Sequence, residues 1–361
     1  MGRAIRWVIG IVAAVAVVVV LAAQIPAVQD MVIRRVIASR IRMPHGDLLG
    51  TDALRVVLCG TSSPMPHPTR AKACVAVFAG GKFWVVDTGP GSWNRFALLQ
   101  IDGRDICGIL YTHYHSDHIG ELGELNLQTW AAGRKAPLAV YGPPGVERVV
   151  AGFTEAYALD TGYRTAHHGA ELLPPDLARM EPHAIPGPAT GQGPTVVLDQ
   201  DGLKITAFAV THSPVSPAYG YRFDYRGRSV VVSGDTVKDK GLIAVAKGAD
   251  VLVHEAQANH IVSIMREEAE KIGRTRVAKI LHDIPTYHTS PVEAAEIANE
   301  AGVRLLVLYH LTPPPPPFPL IDRVFLRGVS AVRPRDWVLA DDGLLVTLPV
   351  DSDAVQVGSL G

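Results

Sequence analysis

Residues 113–118 read His-Tyr-His-Ser-Asp-His and follow the apolar run Ile106-Cys107-Gly108-Ile109-Leu110-Tyr111. Four groups able to bind a metal crowd into six positions at the exit of an expected strand. Imidazole and carboxylate are donors that zinc accepts, and His113 and His115 have the i, i+2 spacing that puts two side chains on one face of an extended segment. Asp117 and His118 can then turn toward a second ion in the following loop. Three further residues extend the pattern. His212 follows Ala207-Phe208-Ala209-Val210, Asp235 follows Val230-Val231-Val232-Ser233-Gly234, and His310 follows Leu305-Leu306-Val307-Leu308. Each stands just past a run that reads as a buried strand, where the backbone holds a ligand rigidly. Alone, any of them is a weak signal; together with the hexad they make a two-metal set.

The elements that must position these residues can be read from the same sequence. Strands are expected from Leu54, with Cys74–Phe78 and Phe83–Asp87 as a hairpin through Gly80-Gly81. The second of these runs into Asp87-Thr88-Gly89-Pro90, a tight turn that opens a helix from Trp93. A helix is expected over Ile119–Ala132, a strand over Leu138–Tyr141, and irregular chain over 160–195. Further strands follow at Leu203–Val210, Ala218–Tyr225, Ser229–Ser233, Val251–Val253 and Leu305–Leu308. A helix is expected near Ile261–Ile272, and Ser290-Pro291-Val292-Glu293 has the cap, N1 proline and N3 glutamate of a capping box. Strands Trp337–Ala340 and Leu344–Leu348 finish the chain. In both halves strands precede helices and polar residues stand at strand ends, which implies two sheets between helical layers with a site along one edge.

The pattern resembles the metallo-β-lactamase superfamily, and within it the ribonuclease Z and arylsulfatase-like branch. The matching segments are Leu58-Cys59-Gly60-Thr61, Val86-Asp87-Thr88-Gly89, the hexad 113–118, Thr211-His212-Ser213, Gly220-Tyr221-Arg222, Gly234-Asp235-Thr236, His254-Glu255-Ala256, His288-Thr289-Ser290 and Tyr309-His310-Leu311. The resemblance implies an α/β fold, the αββα four-layer sandwich, and two Zn2+ ions. It assigns His113, His115 and His212 to one ion, Asp117, His118 and His310 to the other, and Asp235 to a bridge. Two such ions, on the order of 3.5–4 Å apart, hold a water between them and lower its pKa to about 7. The resemblance further implies that Asp117 orients or deprotonates that water. His288 would be a general acid or oxyanion contact, with Glu255 orienting it. Asp87, at a strand end, reads as support for a ligand histidine. His254 is open between support and packing, and His167 and His168 between the substrate mouth and the surface.

The resemblance points to a metal-dependent hydrolase of small-molecule esters, either phosphodiester or sulfate-ester. A ribonuclease Z-type transfer-RNA 3′-processing endonuclease is the alternative, as is lactone or β-lactam hydrolysis. Bacterial ribonuclease Z usually inserts a long arm between the Gly-Tyr-Arg and Gly-Asp-Thr segments, whereas Arg222 and Gly234 here leave room for one hairpin. The net charge of −1 lacks the basic footprint of a dedicated nucleic-acid binder, so a nucleic-acid partner is not favoured. A metal-binding domain without turnover is the competing class; the complete ligand set and His288 speak against it.

The 361 residues, 48% apolar, allow a large core. Residues 1–50 read as anchor and connector, and residues 51–361 as the hydrolase domain. Trp7–Ala23 is an unbroken apolar or small run behind Arg3 and Arg6, at the short end of a membrane span. The expected product is a membrane-anchored protein with its catalytic domain periplasmic or otherwise extracytoplasmic; cleavage near Leu21-Ala22-Ala23 and export is the alternative. Arg34, Arg35, Arg40 and Arg42 lie on the other flank and pull against that orientation. Val32–Ile41 reads as an amphipathic helix. Cys59, Cys74 and Cys107 are odd in number and lack CxxC spacing, so they read as buried small hydrophobes without a disulfide framework.

Overall fold

Successive side chains of a strand point to opposite faces, so an unbroken apolar run is buried only when its sheet is covered on both sides. In the computed structural model, which describes residues 2–41, 45–187 and 193–360, this is how the strands are used. The chain divides into two units, residues 1–45 and 46–361. The first holds α1 (Gly2–Ala22) and α2 (Pro26–Ile41). Among the described residues one helix segment, Ile5–Ala22, is long and apolar enough to cross a membrane, and none of it is buried. In α2 the apolar residues Val28, Met31, Val32, Ile33, Val36 and Ile37 are spread around the axis rather than along one face. The amphipathic reading of Val32–Ile41 is therefore corrected. Arg42 lies outside the described residues.

The second unit begins with β1 (Ala53–Gly60), β2 (Cys74–Ala79), β3 (Lys82–Val86), α3 (Ser92–Leu98) and β4 (Ile106–Leu110). The hexad follows, and within it α4 (Ser116–Ile119). Next come α5 (Leu122–Ala131), β5 (Leu138–Gly142), α6 (Val146–His168) and β6 (Met180–Ala184). The second half contains β7 (Thr195–Gln200), β8 (Leu203–His212), β9 (Val215–Tyr225), β10 (Arg228–Val232), α7 (Lys240–Ala246), β11 (Val251–Gln257), α8 (Asn259–Lys271), α9 (Thr275–Asp283), α10 (Pro291–Ala301) and β12 (Leu305–Thr312). It closes with α11 (Pro319–Phe325), α12 (Val329–Val332), β13 (Trp337–Leu339), β14 (Leu344–Pro349) and β15 (Gln356–Ser359). One sheet has the order β15-β14-β1-β2-β3-β4-β5-β6 and the other β13-β12-β11-β10-β9-β8-β7.

The two sheets face each other. Val56 and Leu58 of β1 point inward and meet Tyr221, Phe223, Val232 and Val307 in one core. Val57 and Cys59, the alternate positions, point outward against Phe96, Leu122 and Val146 of the first helical layer. Phe208, Val231 and Leu306 do the same against Leu242 and Ile297 on the opposite side. Four layers follow, helix, sheet, sheet, helix. Each fully buried large side chain contributes roughly 1.5–3 kcal/mol relative to exposure.

Three expectations need correction. The helix drawn over Ile119–Ala132 breaks at Gly120-Glu121 into α4 and α5. The stretch taken as irregular from 160 holds the last turns of α6, up to His168, and then β6. Cys59 and Cys74 form a disulfide between β1 and β2, with Cα atoms 5.0 Å apart, while Cys107 is free. The two residues come close because β1 and β2 are hydrogen-bonded neighbours with a bulge between Leu58 and Gly60, a proximity that sequence spacing could not show.

Candidate metal centre

Strands of both sheets, the parallel β4, β10 and β12 and the antiparallel β8, deliver their carboxyl ends to the site, the usual place for ligands in open α/β sheets. β4 leads into His113–His118, β8 ends on His212, and the turn after β10 presents Asp235. His310 lies inside β12 as the extra residue of a bulge. Glu255 pairs with Tyr309 and Ala256 with Leu311, so His310 is skipped. Its φ of 46° is left-handed, as is that of Asp87 at 59°. Such conformations are uncommon outside glycine and here re-aim two side chains into one spot. Gly234, φ 63°, allows the approach of Asp235: a Cβ there would stand 2.5 Å from Tyr219 O.

Three of the histidines, His113, His118 and His212, are oriented through Nδ1. His118 Nδ1 donates to Asp87 Oδ2 at 2.8 Å. Thr112 Oγ1 donates to the same carboxylate at 2.8 Å and accepts from His113 Nδ1 at 3.0 Å. His212 Nδ1 donates to the Tyr287 carbonyl at 2.9 Å. These bonds leave the Nε2 atoms to converge. Asp235 Oδ2 lies 3.4 Å from His118 Nε2, 3.5 Å from His310 Nε2, and 3.9 Å from the Nε2 atoms of both His113 and His212. Asp117 Oδ2 is 3.1 Å from His310 Nε2. His115 Nδ1 is 2.9 Å from His113 Nε2 and 3.4 Å from His212 Nε2. His115 is exposed; the other six are buried.

The donor atoms fall into two groups, His113-His115-His212-Asp235 and Asp117-His118-His310, and within each they lie within 4.8 Å of one another. A third group, Asp235-His288-His310, adjoins them. Asp235 Oδ1 and His310 Nδ1 are buried without a hydrogen-bond partner. Burial of unsatisfied polar atoms is costly, and a set of converging imidazole and carboxylate lone pairs suits shared divalent cations. Burial lowers the pKa of His113, which favours the neutral form that a metal takes.

Beside this cluster His288 Nδ1 is 2.8 Å from Glu255 Oε1, which also accepts from Thr236 N at 3.0 Å. Burial lowers His288 and raises Glu255, so both directions favour uncharged groups. His254 joins none of the groups. Its Nδ1 bonds Glu255 O at 2.7 Å, and burial pushes its pKa down to about 4. His167 and His168 are exposed at the end of α6. Sequence reasoning did not find Thr112 or Tyr287; the Tyr287 bond runs through a carbonyl that any residue would supply.

A family profile described as "Beta-lactamase superfamily domain" matches residues 84–311, which span the hexad, His212, Asp235, His288 and His310. The chain belongs to the metallo-β-lactamase superfamily. Among superfamily relatives, Ribonuclease Z of Mycobacterium bovis (strain BCG / Pasteur 1173P2) is 39% identical over 263 residues, covering 72% of this chain and 86% of that protein. Ribonuclease Z of Mycobacterium sp. (strain KMS) is 36% identical over 291 residues, covering 80% and 94%. In fold the chain is similar to the metallo-β-lactamase fold protein YhfI from Bacillus subtilis, with a TM-score of 0.57 at 20% identity over 82% of this chain and 100% of that one. It is equally similar to the short form of human tRNase Z, with a TM-score of 0.57 at 21% identity over 82% and 99%. With these relatives the superfamily member is a metal-dependent hydrolase.

Proposed function

We propose that this superfamily member is a dinuclear phosphodiesterase of the ribonuclease Z type. The observation that carries the reading is Asp235 Oδ2, placed among four imidazole Nε2 atoms with its partner oxygen unbonded. One carboxylate is positioned to serve both groups of donors. His113, His115 and His212 would hold one divalent ion, Asp117, His118 and His310 the other, and Asp235 would bridge. The donor chemistry suits zinc. When bound, two such ions supply an activated water and stabilise the charge that develops on the phosphoryl oxygens.

The protein's own groups then divide the remaining tasks. Asp117 stands beside His310 and can accept a proton from the attacking water. His288, with Nδ1 committed to Glu255, has Nε2 left to protonate the leaving oxygen. Buried Asp87, through Thr112 and His118, keeps the ligand rings in register.

Similarity to ribonuclease Z over most of the length of those proteins favours an RNA phosphodiester as substrate. A second reading, hydrolysis of small phosphodiesters or sulfate esters outside the cytoplasm, is favoured by three observations. These are the apolar helix α1, the disulfide, and a β9–β10 connection of only Arg226-Gly227, which leaves no room there for an RNA-gripping arm. A side-by-side assay on precursor transfer RNA, bis(p-nitrophenyl) phosphate, p-nitrophenyl sulfate, a lactone and a β-lactam ranks the readings. No turnover of either phosphodiester would sink the proposal. Elemental analysis of wild type and Asp235→Ala tests the centre itself: two ions per chain are expected in the first, and loss at both positions in the second. Full metal content in Asp235→Ala would overturn the bridge.

A further inference from the structure

We propose that Tyr287 is a stacking platform for a flat aromatic ring carried on the leaving side of the substrate; the proposal rests on the phosphodiesterase reading above. Tyr287 follows α9 and directly precedes His288. Its ring centroid is 5.3 Å from the ring of His212 at 82° and 4.9 Å from that of His288 at 51°. Behind it His212 and His288 are buried, whereas Tyr287 is half-buried and His115 beside His212 is exposed. The tyrosine ring is therefore more accessible than the two histidine rings it touches.

The ring packs edge-on against His212, but the hydrogen bond that orients His212 does not run through it. The bond that orients His212 uses the Tyr287 carbonyl, which any residue would provide. The side chain, like those of Met65 and Met265, packs against the small apolar cluster of Val262, Ala269, Ala278, Leu281 and Ile284. Met65 comes from the loop after β1 and Met265 from α8, so segments distant in sequence share this cluster with the tyrosine. A half-buried tyrosine ring offers a polarisable surface that suits a π-system better than a hydrated alcohol. His288, the adjacent residue, faces the leaving oxygen in the mechanism above. The group borne by that oxygen is thus the part of the substrate nearest Tyr287. An aliphatic leaving group gains little there. A phenol, or a nucleoside through its base, gains a stacking contact.

The test is isothermal titration of metal-loaded protein with phenylphosphonate and methylphosphonate, which differ only in the ring, and with uridine 5′-methylphosphonate. Phenylphosphonate is expected to bind wild type about tenfold more tightly than methylphosphonate. Tyr287→Ala should abolish the preference, read as the ratio of the two affinities on the same metal-loaded protein, and Tyr287→Phe should keep it. A uridine ligand that outbinds phenylphosphonate marks a nucleoside as the ring's source; the reverse marks a phenol. Equal affinities for phenyl and methyl ligands in wild type, or a preference that survives in Tyr287→Ala, overturns the platform. Because titration needs no turnover, a preserved preference in a protein that hydrolyses no phosphodiester supports the platform and counts against the reading beneath it.

Discussion

Asp87 shows how far residue chemistry alone carries. A carboxylate at a strand end near a histidine hexad is legible as a support, and the structure puts it on His118 Nδ1 and on both the Oγ1 and N–H of Thr112. The left-handed backbone that aims it was not legible, because no pattern of apolar residues encodes φ at one position. The same holds for the bulge at His310. The seven converging donors were legible because their type and their place after apolar runs are both sequence properties. Which nitrogen of each ring faces inward was not, since that depends on Thr112 and on the carbonyl of Tyr287. Asp87→Ala is expected to weaken metal binding about 10- to 100-fold, as loss of an outer partner does. Competition against a chromophoric chelator measures this; an unchanged affinity would show that Asp87 is only a turn residue.

A local signature opened α10 at the expected place, whereas α9 was missed although it buries Ala278 and Leu281 on one side. The capping box at Ser290 is present in both directions, with Ser290 Oγ accepting from Glu293 N and Glu293 accepting from Ser290 N. It opens α10 two residues after His288, so it also fixes where that histidine enters the site. Ser290→Ala should cost about 1 kcal/mol. Thermal unfolding would report it, and an unchanged midpoint would show that the cap adds nothing. The end of α6 escaped because the helix buries few residues beyond Val146 and Val150 and carries Leu159 and Tyr163 exposed, which leaves no clear apolar stripe. Gly120 ends α4 where a continuous helix was drawn. A Cβ there would meet Ser116 O at 2.7 Å and the Pro90 ring at 2.8 Å.

Across the whole molecule, the two-sheet arrangement follows from burial on both faces of most strands, and that was visible as runs of apolar residues. Which strands pair was not. β14 and β15 leave the second half of the chain to join β1 in the first sheet. Non-local pairing of this kind also brings Cys59 beside Cys74, at a sequence separation of 15. Closing a loop of that size restricts the unfolded chain by about 3 kcal/mol, so Cys59→Ala/Cys74→Ala should lower unfolding free energy by that order. Denaturant titration measures it, and equal midpoints would show that the bond is energetically idle. The bond also gives the protein a history. Disulfides persist in oxidising surroundings and are rare where thiol buffers keep cysteines reduced. A batch made in a reducing cytosol and one passed through an oxidising compartment would differ by two hydrogens in mass. They would also differ in how firmly the loop 61–73 is held between its hydrogen-bonded neighbours Gly89 and Leu311. Comparisons of activity between preparations are therefore comparisons of the same molecule only when thiol titration shows Cys107 alone to be free.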